Sequence, residues 1–216
     1  MEKFIWLVVS YLLGSIPSGF LVSRYFGKDI LNIGWRKTSG SNVFKNVGKW
    51  QGVLTALMDI GKGYLAVWGA QKLGLSPQFQ VFSGLLVLIG NNWSLFLKFA
   101  GGRGIGTYGG ALLAFSPQIF VFSLITIILL GIIWDASIGT ITLLALAIFL
   151  SVRFGLFTTA GMLTVLSLIP IFLKRLSPIK ELSFKNWGLI KNRFIFDDNQ
   201  VKDFRIKRII RRLTEK

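Results

Sequence analysis

Apolar residues in this chain gather into long runs separated by short polar and basic connections. Crossing the roughly 30 Å hydrocarbon layer of a bilayer takes about 20 mostly apolar residues in a helix. Three runs read as full spans of this kind: Phe4 to Val22, Gly52 to Ala70 and Phe79 to Leu97. A shorter segment, Tyr108 to Phe115, stops at Ser116-Pro117 and is followed by Gln118 to Trp134, Ile138 to Val152 and Leu156 to Leu173. The pattern predicts seven helical segments. The short one cannot cross alone, so it must pack against protein, because unpaired backbone in lipid is too costly.

Composition and charge sharpen this picture. With 52% apolar residues and a mean hydropathy of +0.61, the chain is too hydrophobic for an ordinary soluble domain of 216 residues. The first run lacks a small-x-small cleavage signature and leads straight into charged sequence, which predicts a retained helix rather than a cleaved signal peptide. Lys and Arg number 25 against 9 Asp and Glu, and basic connections stay on the cytoplasmic side during insertion. Arg24, Lys28, Arg36, Lys37, Lys45 and Lys49 fill the first connection, Lys98 and Arg103 the third, and 13 more follow Leu173. Lys3, Lys72 and Arg153 mark the amino end and the second and sixth connections. Seven spans, amino end outside and carboxyl end inside, put 21 basic residues in the cytoplasm and three outside. Six spans would strand either the first connection or the tail on the wrong side. The expected fold is therefore an all-α membrane protein, a compact bundle of about seven transmembrane helices with one short half-span.

The chain divides at residue 173 into this bundle and a basic cytoplasmic tail, 174–216. In the tail Ile206, Ile209, Ile210 and Leu213 share one side of a helical wheel, with Arg205, Lys207, Arg208, Arg211 and Arg212 around the rest. That is the pattern of an amphipathic helix lying on anionic lipid headgroups, with a solvated terminus as the plainer alternative. Nucleic acid is not the expected partner, since lipid headgroups are the nearer anion.

Cys and His are both absent. This excludes thiol nucleophiles, disulfides, His triads and the usual zinc or haem ligation, and neither a metal nor a cofactor is called for. Carboxylates, hydroxyls, amides, Lys and Arg remain. Asp59 and Lys62 stand at i and i+3 inside the second run, where an ionisable residue is a functional candidate and a structural ion pair is the competing reading. Gly101-Gly102-Arg103-Gly104-Ile105-Gly106-Thr107 joins the third span to the short segment. Its glycines can turn successive amides toward one anion, Arg103 adds a planar fork, and a helix starting there adds positive dipole. The Gly-Lys-Ser/Thr ending of a nucleotide loop is missing. Thr38, Ser39, Ser41, Asn42 and Asn46 add polar groups in the first connection, and Asp135 and Ser137 in the fifth. All of these fall on the predicted cytoplasmic face, as a site for a soluble phosphorylated metabolite or the vestibule of a channel would require.

Several of these stretches carry a family pattern. Gly14-Ser15-Ile16-Pro17-Ser18-Gly19, Ser41-Asn42-Val43-Phe44-Lys45, Met58-Asp59-Ile60-Gly61-Lys62-Gly63, Gly90 to Thr107 and Ser137-Ile138-Gly139 occur in the order in which the bacterial acyl-phosphate:glycerol-3-phosphate acyltransferases of the PlsY type carry their motifs. The chain resembles that family over about residues 5 to 182. The resemblance implies a seven-span inner-membrane enzyme that moves an acyl chain from acyl phosphate to glycerol 3-phosphate, giving lysophosphatidate. It implies Ser41, Asn42, Lys45 and Ser137 as catalytic residues, and Gly101, Gly102, Arg103, Gly104, Thr107, Lys98, Asn91, Asp59 and Lys62 as residues that bind substrate or its phosphate. The chain departs from the family at Trp35, Arg36 and Lys37, where Ser, Gly and Asn are usual, at Asn91 for His, at Arg103 for Lys, and at Arg175 and Pro178 for the His and Asn of the final motif. A catalytically silent paralogue that binds lipid or a phosphometabolite is the alternative, and a small-solute transporter a further one.

Overall fold

The computed structural model describes residues 1–177 and 187–200, and all regular structure among them is helical. The helices are α1 Glu2–Ser15, α2 Ser18–Tyr25, α3 Gly40–Asn46, α4 Lys49–Lys72, α5 Pro77–Asn92, α6 Ile105–Phe115, α7 Pro117–Ile133, α8 Ala136–Arg153, α9 Met162–Leu176 and α10 Trp187–Phe196. The amphipathic stretch expected at 206–213 lies outside the described residues.

Among the described residues, four stretches are long and apolar enough to cross a membrane: Glu2–Tyr25, Pro77–Leu97, Ala136–Arg153 and Phe157–Leu176. Helices α6 and α7 are apolar but shorter. At 24 residues α4 is about 36 Å long and is not among the four; Asp59 and Lys62 lie in its middle and lower the hydropathy of its apolar stretch. Large apolar side chains face outward around the bundle, among them Ile5, Leu57, Leu65, Ile128, Ile132, Phe149 and Ile169. That is the surface of a protein whose solvent is lipid, and the all-helical membrane bundle expected from the pattern is what forms.

Two details differ from the expected elements. The first run is broken rather than continuous, because Pro17 has no N–H and drives Ile16 out of the helical region, to ψ 114°. The short segment begins three residues earlier than predicted, at Ile105. It is enclosed by protein: Tyr108, Ala111 and Leu112 are fully buried, and the Tyr108 hydroxyl shares a 2.7 Å hydrogen bond with Thr164 Oγ1 on α9. This is the protection that an 11-residue helix in a membrane needs.

Helices cross closely where glycine removes the side chain. A Cβ on Gly14 or Gly90 would overlap backbone across the α1–α5 contact, and one on Gly63 or Gly110 would do the same between α4 and α6. Without a hydrophobic drive between helices in lipid, such backbone-to-backbone packing is a main source of association. The core behind it joins Val67, Leu88, Tyr108, Leu112, Leu144, Leu163 and Ile171.

Candidate active site

Three segments meet at one end of the bundle: the connection 26–39 with α3, the glycine loop ahead of α6, and the start of α8. The first two are tied directly, since Thr38 N–H donates to the Gly101 carbonyl at 3.3 Å. The connection itself is folded around Asn42, which is fully buried. Its amide donates to the carbonyls of Ile33 (3.2 Å) and Lys37 (2.8 Å), while its oxygen accepts from Trp35 N–H and Asn46 Nδ2. Asn42 therefore has its hydrogen-bonding capacity spent on the loop.

The glycine loop is shaped by close approach. A Cβ on Gly101 would overlap the carbonyls of Asn91 and Asn92, and Gly104 takes φ +77° to cap α6. The Gly102 amide donates to the Asn91 carbonyl at 2.9 Å, so the predicted row of amides aimed at a ligand loses one member.

A cavity of about 250 Å³ opens here. Its polar wall includes Ser39, Ser41, Asp59, Arg103, Ser137, Arg175 and Asp197, and its apolar wall Ala56, Ile105, Ile127 and Ile171. A neighbouring recess of about 630 Å³ shares Ser41, Arg103 and Ser137 and continues over Trp35, Phe44, Lys45 and Val53 to the outer surface. Arg103 lines both. Its Nε pairs with Asp197, its Nη1 lies 3.4 Å from Ser41 Oγ, and its guanidinium lies 4.5 Å from the Trp35 ring centroid. Lys45 Nζ lies 5.0 Å from the same ring. Ser137 sits at the start of α8, where Asp135 caps its N–H at 2.8 Å.

Asp59 and Lys62 do pair, at 2.9 Å, and both are buried. Lys62 also donates to Asn91 Oδ1 (2.7 Å) and to the Ile16 carbonyl (3.0 Å), so its three protons are all engaged. The Pro17 break and the ion pair are thus one structure: the lysine ties the broken span to α4 and α5. Thr107 is buried in α6, its hydroxyl unpaired and off the cavity walls, and Lys98 is exposed at φ +51° away from the cavities described here.

Sequence reasoning missed the contribution of the carboxyl-terminal region. Asp197, 6% exposed, enters between Arg103 and Lys37, whose Nζ is 3.2 Å away. Burial, with Arg103 and Arg193 nearby, holds the Lys37 pKa below the usual lysine value, against the pull of Asp197. Arg175, in place of the family's His, donates to the Ser137 and Phe194 carbonyls, each at 2.9 Å. The available signal was the adjacent pair Asp197-Asp198 in a tail otherwise dominated by Lys and Arg.

An apolar outer surface, several membrane-length helices and a cationic, hydroxyl-lined cavity at one end define a multi-span helical membrane protein with a polar site. The family model for glycerol-3-phosphate acyltransferase matches residues 4–184, and the chain belongs to that family. It is 40% identical over 151 residues to glycerol-3-phosphate acyltransferase 2 of Moorella thermoacetica, covering 68% of this chain and 77% of that one. It is 39% identical over 137 residues to the glycerol-3-phosphate acyltransferase of Trichlorobacter lovleyi, covering 63% and 71%. Among solved structures, PlsY, an integral membrane glycerol 3-phosphate acyltransferase, superimposes in its glycerol 3-phosphate form with a TM-score of 0.75 at 27% identity, covering 83% of this chain and 91% of that one. Its lysophosphatidic acid form matches with a TM-score of 0.71 at 26% identity, covering 85% and 96%.

Proposed function

We propose that this chain transfers an acyl group from acyl phosphate to glycerol 3-phosphate in a bacterial inner membrane, giving lysophosphatidate and inorganic phosphate. The acceptor hydroxyl oxygen bonds to the acyl carbonyl carbon, the carbon–oxygen bond to phosphate breaks, and the hydroxyl proton leaves on the departing phosphate. That route suits a chain without histidine, because the protein then only orients two anionic reactants and stabilises developing charge. Arg103, Lys45 and the amides of Gly101 and Gly104 bind phosphate. Ser41 and Ser137 position the acceptor, Asn42 holds the loop that presents them, and Asp59, Lys62 and Asn91 brace the floor. The observation that carries this reading is the joining of a cationic, serine-lined cavity to an apolar wall and an outward recess, a shape that suits a phosphate head and an acyl tail together.

The same reading assigns seven spans, an external amino end and a cavity open to the cytoplasm. The tail from residue 174 is cytoplasmic, and its basic end rests on anionic headgroups. Purified protein given acyl phosphate and glycerol 3-phosphate is expected to form lysophosphatidate, with kcat/KM about a hundredfold lower in Arg103→Ala. Phosphate binding without turnover in the unsubstituted protein would instead identify a silent paralogue.

A further inference from the structure

The family match ends at residue 184, yet a segment beyond it occupies the polar wall of the cavity. Helix α10 points its carboxyl end at the site. Ser137 Oγ donates to the Phe196 carbonyl at 2.8 Å, and Arg175 Nη1 to the Phe194 carbonyl at 2.9 Å. The next residue, Asp197, takes φ +50° and places its carboxylate against Lys37 Nζ and Arg103 Nε. A helix carboxyl end carries partial negative charge, and the carboxylate adds a full one. Residues 194–197 thus present to Ser137, Arg175, Arg103 and Lys37 a cluster of oxygens of the kind a bound oxyanion would present.

The way this segment is held favours a displaceable occupant over a structural brace. Helix α10 has only 10 residues, too few to persist in water without docking. Its Trp187 is 67% exposed and its Phe194 43%, and its clearest apolar anchor is the stacking of Phe194 on Phe172, centroids 4.4 Å apart. Its carboxyl end is held through polar contacts: two go to Ser137 and Arg103, which the proposed reaction needs, others to Lys37 and Arg175 on the same cavity rim, while buried Arg193 donates to the Leu176 carbonyl at 3.4 Å away from it.

We propose that residues 194–197 are an internal stand-in for the substrate phosphate, an autoinhibitory plug that a phosphate group must displace to enter the cavity. The proposal rests on the reading of this cavity as the substrate site. Substrate and segment compete for the same donors, so the apparent affinity for glycerol 3-phosphate is reduced by the fraction of molecules that are closed.

Two measurements on the full-length protein test this. In amide hydrogen exchange, inorganic phosphate at a concentration that saturates binding by calorimetry is expected to strip protection from residues 190–197, while chloride of equal ionic strength does not. Unchanged protection, or no phosphate binding at all, overturns the plug. In steady-state kinetics, Asp197→Asn is expected to lower the KM for glycerol 3-phosphate about tenfold with kcat kept or raised, as when a competent fraction of about a tenth rises toward one. A higher KM or a lower kcat overturns the plug and makes Asp197 a positioning residue for Arg103 and Lys37. If neither protein forms lysophosphatidate while phosphate still releases the segment, the plug stands and the acyl-transfer reading fails.

Discussion

Lys62 spends all three of its protons inside the bundle, on Asp59, Asn91 and the Ile16 carbonyl. Its spacing from Asp59 allowed a structural pair as one of two readings, and the pair forms. That its other two protons go to Asn91 and to the carbonyl exposed by the Pro17 break depended on contacts 29 and 46 residues away. Lys62→Met leaves a buried carboxylate uncompensated and is expected to cost about 3–5 kcal/mol, read as a fall in the melting temperature of detergent-solubilised protein. The double variant Lys62→Met with Asp59→Leu removes both charges and is expected to recover much of that loss; no recovery would mean the lysine acts through its other two bonds. Asn42 was equally visible as a polar residue in a basic connection, but its role as the staple of that connection follows from four hydrogen bonds that no motif encodes.

At the scale of elements, the glycines separate packing from flexibility. Gly63 lies where a Cβ would overlap the Thr107 carbonyl, whereas Gly61, two residues earlier on α4, has nothing within 4 Å of that position. Gly63→Ala is expected to force α4 and α6 apart and destabilise the protein by about 1–3 kcal/mol. Gly61→Ala is expected to stabilise it by about 0.5–1 kcal/mol through helix propensity. Thermal unfolding of the two variants side by side checks the contrast, and equal shifts would contradict the crossing described above. The apolar helices were readable from run lengths, whereas the short helices α3 and α10 left no such run and were not expected. Element ends were not readable, because they follow from local backbone events, such as the break at Pro17 and the αL cap at Gly104.

For the whole molecule, sidedness is the property to test, and a chain without native cysteine makes the test direct. With single substitutions in intact cells, Lys3→Cys and Lys72→Cys are expected to react with a membrane-impermeant maleimide from outside, and Lys49→Cys only after permeabilisation. The reverse pattern would invert the proposed topology and turn the cavity away from the cytoplasm.

The sequence alone determined that the chain is a helical membrane bundle, that its glycine loop carries one cation, Arg103, and that any reaction proceeds without thiol or imidazole. These properties reside in composition, run length and residue type, which folding does not change. Only the tertiary structure decided which donors face the cavity and which are consumed by the scaffold. The Gly102 amide is turned to Asn91, Lys62 is saturated, and Asp197 is brought beside Lys37 across 160 residues of chain. Such pairings depend on distance in space, and in this bundle they are set by helix crossings and a proline break that bring remote segments together.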